Sequence, residues 1–265
     1  VTPGAVSQQI KALETHFGVR LLDRGTREVR LSTDGLRLYA KIAPAFEQID
    51  DAVQLFDGRR PGPETLVIST VPSFAACWLA SRLGRFTAEH PRIEVQIETS
   101  VQLADLSGGS TDVAVRHGSG SYPGLDAIRL FSPQLIAIGS PNLLTDGPVP
   151  SPADCLRYPL LQDRDRTDWS IWLEANGVKA SQSAVKGPSY ADDALLVQGA
   201  IAGQGLAIVR NVYAASALVA GRLMLAIDAP VPTPAGYFVV TRPDRMNVPK
   251  IAAFRHWIMR EAGVA

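Results

Sequence analysis

The chain is poor in cysteine, in histidine and in net charge. It has two cysteines among 265 residues, Cys77 and Cys155, and they lie far apart. That excludes a disulfide framework and a clustered thiolate metal site, and it suits a reducing compartment, with each thiol expected simply to pack. The four histidines show no metal-ligand spacing. There is no Gly-x-Ser-x-Gly elbow, no Walker loop and no dinucleotide fingerprint, and Gly118-Ser119-Gly120 after a strand reads as a loop. Catalytic residues, cofactors and metals are therefore not expected. No apolar run approaches the roughly 18 residues of a membrane span, and Val1-Thr2-Pro3-Gly4-Ala5 does not read as a secretory signal, so no membrane partner is expected. Lys plus Arg and Asp plus Glu are 26 each, which leaves no overall basic footprint. What is present is a hydrophobic share of 46% against 20% charged residues, enough for packed cores in about two domains and incompatible with wholesale disorder.

Periodicity organises the front of the chain. Val6, Ile10, Leu13 and Phe17 recur at helical spacing, with Thr2 as a cap, Pro3 in the first turn and Gly18 as the stop. The opposite side carries Ser7, Gln8, Lys11 and Thr15, a polar row without an acid. Val19 to Arg24, the turn-prone Gly25-Thr26 and the alternating Arg27 to Leu31 predict a small β-ribbon. Thr33 is then expected to cap a long helix with Leu36, Tyr39, Ala43, Phe46, Ile49, Val53 and Phe56 on one stripe, ending at the Gly/Pro-rich hinge 57–63.

From Glu64 the pattern becomes strands alternating with helices. Strands are expected at 66–71, 93–98, 111–116, 135–138, 184–186, 206–209 and 236–241, with helices at 74–90, 102–107, 169–176, 192–202 and 249–262. Such alternation predicts an α/β fold with largely parallel sheets, here in two similar lobes.

Several spaced segments match one family in order. Ala5-Val6-Ser7-Gln8-Gln9-Ile10-Lys11-Ala12-Leu13-Glu14, Gly18 to Arg24, and Leu31-Ser32-Thr33-Asp34-Gly35 resemble the recognition helix, wing and linker-helix start of LysR-type transcriptional regulators. Pro72 to Leu79, Asp112 to Gly118 and Gly199 to Ala207 resemble the effector domain of the glycine-cleavage-activator-like subgroup, so the likeness covers essentially the whole chain. The resemblance implies a partial winged helix-turn-helix over 1–32, a linker helix and hinge over 33–63, and a periplasmic-binding-protein-like (type 2) effector domain over 64–265. Lobe I is expected at about 64–133 and 235–265, and lobe II at about 134–234. Family members carry roughly one more helix and part of a second ahead of the position of Val1, so the chain is expected to begin inside the winged element. The implied partners are double-stranded operator DNA, a small-molecule effector and further copies of the chain, as a homodimer or dimer of dimers, in the cytoplasm.

Candidate site residues follow. Amides pair with adenine and hydroxyls reach bases or phosphates, so Ser7 and Gln8 are candidate base readers and Lys11 a phosphate contact. On periodicity alone a solvated helix face is the alternative. Arg24, Arg27 and Arg30 lie on or beside the ribbon, where wings touch backbone or minor groove, with a surface salt bridge as the other reading of Arg30. Ligands in α/β sheets bind at strand carboxyl ends, which places Ser73 and Phe74 after the first strand and Thr99 and Ser100 after the second. Helix capping is the alternative for the hydroxyls, and the resemblance favours an effector cradle between the lobes. Arg116 and His117 leave the third strand towards the same cleft, although Arg116 could pair with Asp112 and His117 could be a satisfied loop histidine. From the second lobe, Tyr190 precedes Asp192 and Asp193, of which one is expected to cap a helix and the other to accept an ammonium group, with Asp163 a weaker candidate. An anion cradle facing an acid suits an anionic or zwitterionic effector, such as an amino acid or peptide-like acid. A two-lobed solute-binding protein is the rival reading, which should carry an export signal and lack the winged segment. Charge separates along the chain: residues 1–41 carry seven basic and four acidic side chains, net +3, and the remainder is net −3. The neutral total conceals a basic reader joined to an acidic sensor.

Overall fold

In a computed structural model the described residues are 3–24, 29–39, 41, 42, 46, 64–101, 106, 110–179 and 182–264. The chain divides into two units, Val1–Gly62 with Asp105–Ser110, and Pro63–Ala104 with Thr111–Ala265.

In the first unit, α1 spans Pro3–Phe17 and ends on Gly18 at φ +69°, the left-handed geometry that glycine adopts without a Cβ penalty. The Glu14 carboxylate accepts from the N–H groups of Leu21 (2.8 Å) and Leu22 (3.1 Å), which ties the helix to the strand that follows. Strands β1 (Leu22–Arg24) and β2 (Val29–Leu31) pair antiparallel, with Asp23 opposite Arg30. The helix α2, residues 33–39 with further helical positions at 41, 42 and 46, is capped by Ser32 and not by Thr33: Ser32 Oγ accepts from Gly35 N at 2.9 Å and donates to the Arg20 carbonyl. Gly35 is fixed by space, since a Cβ there would stand 2.0 Å from the Leu21 carbonyl oxygen. The expected cap Thr2, and the linker positions Ala43, Ile49, Val53 and Phe56 with the hinge 57–63, lie outside the described residues. The α1 stripe is open, with Val6 46%, Leu13 38% and Phe17 52% exposed.

The second unit holds two sheets. The first lobe's sheet has the order β4-β3-β5-β11-β6, from β3 (Glu64–Thr70), β4 (Ile93–Thr99), β5 (Val113–Gly118), β6 (Asp126–Phe131) and β11 (Gly236–Thr241). Helix α3 (Pro72–Phe74) continues through a π-helical stretch (Ala75–Leu79) into α4 (Ala80–Glu89), and α8 (Pro249–Glu261) closes the chain. The second lobe's sheet has the order β10-β7-β9-β8, from β7 (Gln134–Gly139), β8 (Leu160–Leu161), β9 (Leu206–Arg210) and β10 (Met224–Pro232). Its helices are α5 (Asp168–Ala175), α6 (Asp193–Ile201) and α7 (Asn211–Val219).

The α/β class holds, but the sheets are mixed. β3 runs parallel to β4 and β5, whereas β11 is antiparallel to both β5 and β6, and β7 is antiparallel to β9 and β10. The reason is connectivity: β11 returns from the second lobe instead of completing a crossover within the first. The segment 184–186 is not a strand, since Gln182–Val185 forms a 3-10 turn, and the expected helix 102–107 falls largely outside the described residues.

The chain passes between lobes twice, at β6 to β7 and at β10 to β11, and the two passages are stitched together. Thr233 N and Oγ1 both donate to the Pro133 carbonyl, at 3.2 and 2.9 Å, and Asn211 Oδ1 accepts from Gln134 N at 3.1 Å. Around them one apolar cluster draws on both lobes, joining Phe74, Trp78, Tyr237 and Phe254 to Leu196, Val197, Tyr213 and Ala217. A separate core in the second lobe centres on Trp169 and Trp172, whose indole N–H groups donate to the carbonyls of Leu161 and Ala229.

Candidate effector site and DNA-facing helix

Strand alternation decides what β5 offers. Successive side chains point to opposite faces, and the register sets His117 opposite Tyr237 but Arg116 opposite Phe238. Val113, Val115 and Tyr237 belong to the cluster shared by the lobes, so His117 lies on that inner face and Arg116 on the other. The expectation that both enter one cleft is corrected by this period of two.

On the inner face the His117 ring stands 4.9 Å from the Tyr237 ring, and its Nε2 is buried without a hydrogen-bond partner among the described residues. Burial, reinforced by the charge of Arg210, lowers its pKa to about 4, so the imidazole is neutral at physiological pH. The Tyr237 hydroxyl meets that of Tyr213 from α7, and burial drives both phenols well above the ordinary tyrosine range. Arg210, at the end of β9, binds Asp193 at 2.8 Å and reaches Asp168 at 3.6 Å. Burial raises Asp168 to about 6 despite Arg210. Tyr213 and Arg210 carried no sequence signal. The available one was position: Arg210 ends a strand that faces the lobe junction.

The other candidates take varied places. Ser73 is buried and donates to Asp192 Oδ1 at 3.3 Å, while its Oγ accepts from Ala194 N at 3.2 Å, a bond from lobe to lobe at the start of α6. Asp192 is the cap, accepting from Ala194 N (2.9 Å) and Leu195 N (3.1 Å), and Asp193 is already paired with Arg210. Phe74 is wholly buried in an aromatic stack with Trp78 and Tyr237, so it forms core and not site wall. Thr99 is exposed at the end of β4, and the Ser100 N–H donates to the Thr70 carbonyl. Asp163 spends its carboxylate on the N–H groups of Asp165, Thr167 and Asp168 at the entry to α5, a capping role. Tyr190 donates to Gln204 Oε1 at 2.5 Å. The suggested Arg116–Asp112 pair is not formed: Asp112 is held by Arg245 (3.2 Å), Lys250 (3.0 Å) and Val67 N (2.9 Å).

On α1, Gln8 and Lys11 are exposed and Ser7 is half-buried. Arg30 lies exposed on β2, and the Arg24 side chain and all of Arg27 lie outside the described residues. Among the described residues no group of His, Cys, Asp and Glu could hold a metal ion, and no helix is long and apolar enough to cross a membrane.

Two lobes hinged by paired crossovers, with buried polar groups where they meet, define a small-molecule-binding domain, here joined to a helix and ribbon of DNA-reading type. Comparison with known proteins agrees. Residues 59–263 match the LysR substrate binding domain, and residues 1–36 match the bacterial regulatory helix-turn-helix protein, lysR family. The glycine cleavage system transcriptional activator of Escherichia coli (strain K12) is 34% identical over 263 residues, 99% of this chain and 86% of that protein. The HTH-type transcriptional activator AmpR of Providencia stuartii is 32% identical over 262 residues, covering 98% and 87%. Among solved structures, the effector domain of AmpR from Pseudomonas aeruginosa superposes with TM-score 0.64 at 26% identity, over 76% of this chain and 96% of that one. The full-length Vibrio cholerae virulence activator AphB shares the fold at TM-score 0.60 and 20% identity, over 98% and 90%. The chain belongs to the LysR family of transcriptional regulators. Its relatives are regulators and not enzymes, and the helix-turn-helix match sets aside the solute-binding reading.

Proposed function

We propose that the protein is a cytoplasmic regulator whose effector is a small anionic or zwitterionic compound, of amino-acid or peptide-like acid type, bound where the two lobes meet. The observation that carries this is the His117 Nε2, buried beside Tyr237 and Tyr213 without a hydrogen-bond partner among the described residues. A buried polar atom left unpaired costs about 1–3 kcal/mol, so a ligand that supplies the missing bond gains on the closed form of the lobes. Asp168 and Asp193 share the single guanidinium of Arg210, which leaves excess negative charge for an ammonium group. Thr99 at the end of β4 and Ser73 in α3, which is hydrogen-bonded to Asp192 at the α6 start, are the further candidate contacts on the first lobe. Domain limits near residues 32 and 63 belong to the same reading.

Ser7 and Gln8 are the proposed base readers, Lys11 the phosphate contact, and Arg24, Arg27 and Arg30 the wing contacts. Assembly as a dimer or dimer of dimers is supported by apolar residues exposed along the linker helix, Leu36 57%, Tyr39 53% and Phe46 66%. Effector binding would act by shifting the population of lobe arrangements, which requires different affinity for the two.

A thermal-shift screen across amino acids, aromatic acids and muropeptides tests the effector class. Stabilisation by a carboxylate compound that weakens at least tenfold in His117→Gln is expected. Stabilisation only by non-anionic compounds would overturn the assignment.

A further inference from the structure

The outer face of the first lobe's sheet carries a buried cation without a counter-charge among the described residues. Arg116 is 4% exposed, and none of its nitrogens lies in an ion pair with any of the described residues. Its Nη2 donates to Ser69 Oγ at 2.6 Å, and among the described residues Nη1 makes only two long contacts, 3.4 Å each, to the carbonyls of Ser100 and Val115. Nε is buried with no hydrogen-bond partner among the described residues. A guanidinium has five N–H donors, and charged groups are rarely buried unless paired. Ser69 adds to the deficit. It is 2% exposed, its oxygen accepts from Arg116, and its own O–H proton has no acceptor among the described residues.

The surroundings are cationic and aromatic. Cross-strand register sets Arg116, Phe238 and Arg129 in one row, with the Arg129 guanidinium 5.2 Å from the Phe238 ring. Tyr122 packs edge-on against Phe238 at 5.9 Å, and its hydroxyl is 3.1 Å from where a Cβ on Gly118 would stand. Among the described residues it is also the ionisable neighbour that acts on the charge of Arg116.

We infer that this outer face binds a small oxyanion, a carboxylate or a phosphate group, held by the Arg116 guanidinium and the Ser69 hydroxyl with the Tyr122 hydroxyl beside them. The site is separate from the lobe junction because Arg116 and His117 are consecutive on a strand. Charge-assisted bonds of guanidinium to an oxyanion are among the stronger hydrogen bonds available to a protein, and a hydroxyl proton aimed at the same anion adds to them. Arg129 contributes attraction at longer range. A ligand here would give the regulator a second input, acting on the strand that also carries His117.

The test is thermal shift of the full chain with inorganic phosphate and with acetate, each against chloride at fixed ionic strength, paired with NMR of the Arg116 Nε–H. Saturable stabilisation by at least one of the two anions is expected, together with a moved and exchange-protected Nε–H. The identity of the stabilising anion separates a phosphate ligand from a carboxylate one. Ser69→Ala should weaken the midpoint by roughly tenfold, the loss of one charge-assisted bond. Arg116→Met should abolish the response, and His117→Gln should leave it unchanged, which distinguishes this site from the effector cleft. An anion response equal to that of chloride, or one that Ser69→Ala leaves at the same midpoint with the Nε–H unmoved, would overturn the proposal even where Arg116→Met does not fold.

Discussion

The hydroxyls of Tyr213 and Tyr237 meet inside the protein, one carried by α7 of the second lobe and the other by β11 of the first. Both side chains are almost fully buried, at 2% and 1% exposure, and neither hydroxyl has another hydrogen-bond partner among the described residues. The pair is therefore a polar tie between lobes set in an apolar cluster, adjacent to His117.

Removing one member strands the other. Tyr213→Phe or Tyr237→Phe should each cost about 1–2 kcal/mol, because the surviving hydroxyl loses its bond without regaining water. The double variant, which removes both polar groups, should cost clearly less than the sum. Urea unfolding midpoints of the four proteins check this, and strictly additive losses would show that the hydroxyls are not coupled.

Two buried groups give stability opposite slopes with pH. His117 falls from an ordinary 6.5 to about 4, so the unfolded chain binds more protons across that interval and stability is lost as pH drops from 6.5 towards 4. Asp168 rises from 3.8 to about 6, so the folded chain binds more protons and stability is lost as pH climbs through the same region. His117→Gln should therefore tolerate acidification better than the parent, and Asp168→Asn worse. Urea midpoints between pH 4.5 and 7 report both, and profiles that overlay the parent would contradict the two assignments.

Base reading and phosphate contact separate on the recognition helix. In a protein carrying the complete winged helix-turn-helix, Gln8→Ala should lower operator affinity with loss of sequence preference, by about 1–3 kcal/mol. Lys11→Ala and Arg27→Ala should instead weaken specific and random duplex about equally and reduce the salt dependence. Binding titrations on both duplexes at two salt concentrations decide; an equal loss on both for Gln8→Ala would remove it as a base reader.

Legibility differed between elements for physical reasons. Helices α1, α5, α6 and α8 follow a 3.6-residue pattern or a clear cap, and all were readable within a residue or two. Strands β6 and β10 escaped because Asp126, Arg129 and Asp228 interrupt them, and the signal for an edge strand with one wet face is weak. α7 escaped because Asn211 to Val219 is apolar nearly all round. Capping was misassigned by one residue at Ser32, whereas the expected cap at the start of α6 is Asp192, with Asp193 paired to Arg210 in place of an ammonium group. Arg116 and His117 were placed together although alternation alone could have parted them.

By itself the sequence determined that this is a LysR-type reader joined to an α/β sensor, because motif order and periodicity are local properties and survive without knowledge of contacts. It also pointed to the strand ends near Ser73, Thr99 and His117 as the places where an effector is proposed to bind. Only the tertiary structure decided which groups are already spent. Asp163 and Asp192 are used as caps, Asp193 is paired with Arg210, and Phe74 is closed into the core. It likewise decided which groups are left wanting among the described residues, His117 on the inner face and Arg116 on the outer. The reason is that satisfaction of a buried polar atom depends on partners distant in the chain, such as Ser69 for Arg116, and those distances exist only after folding.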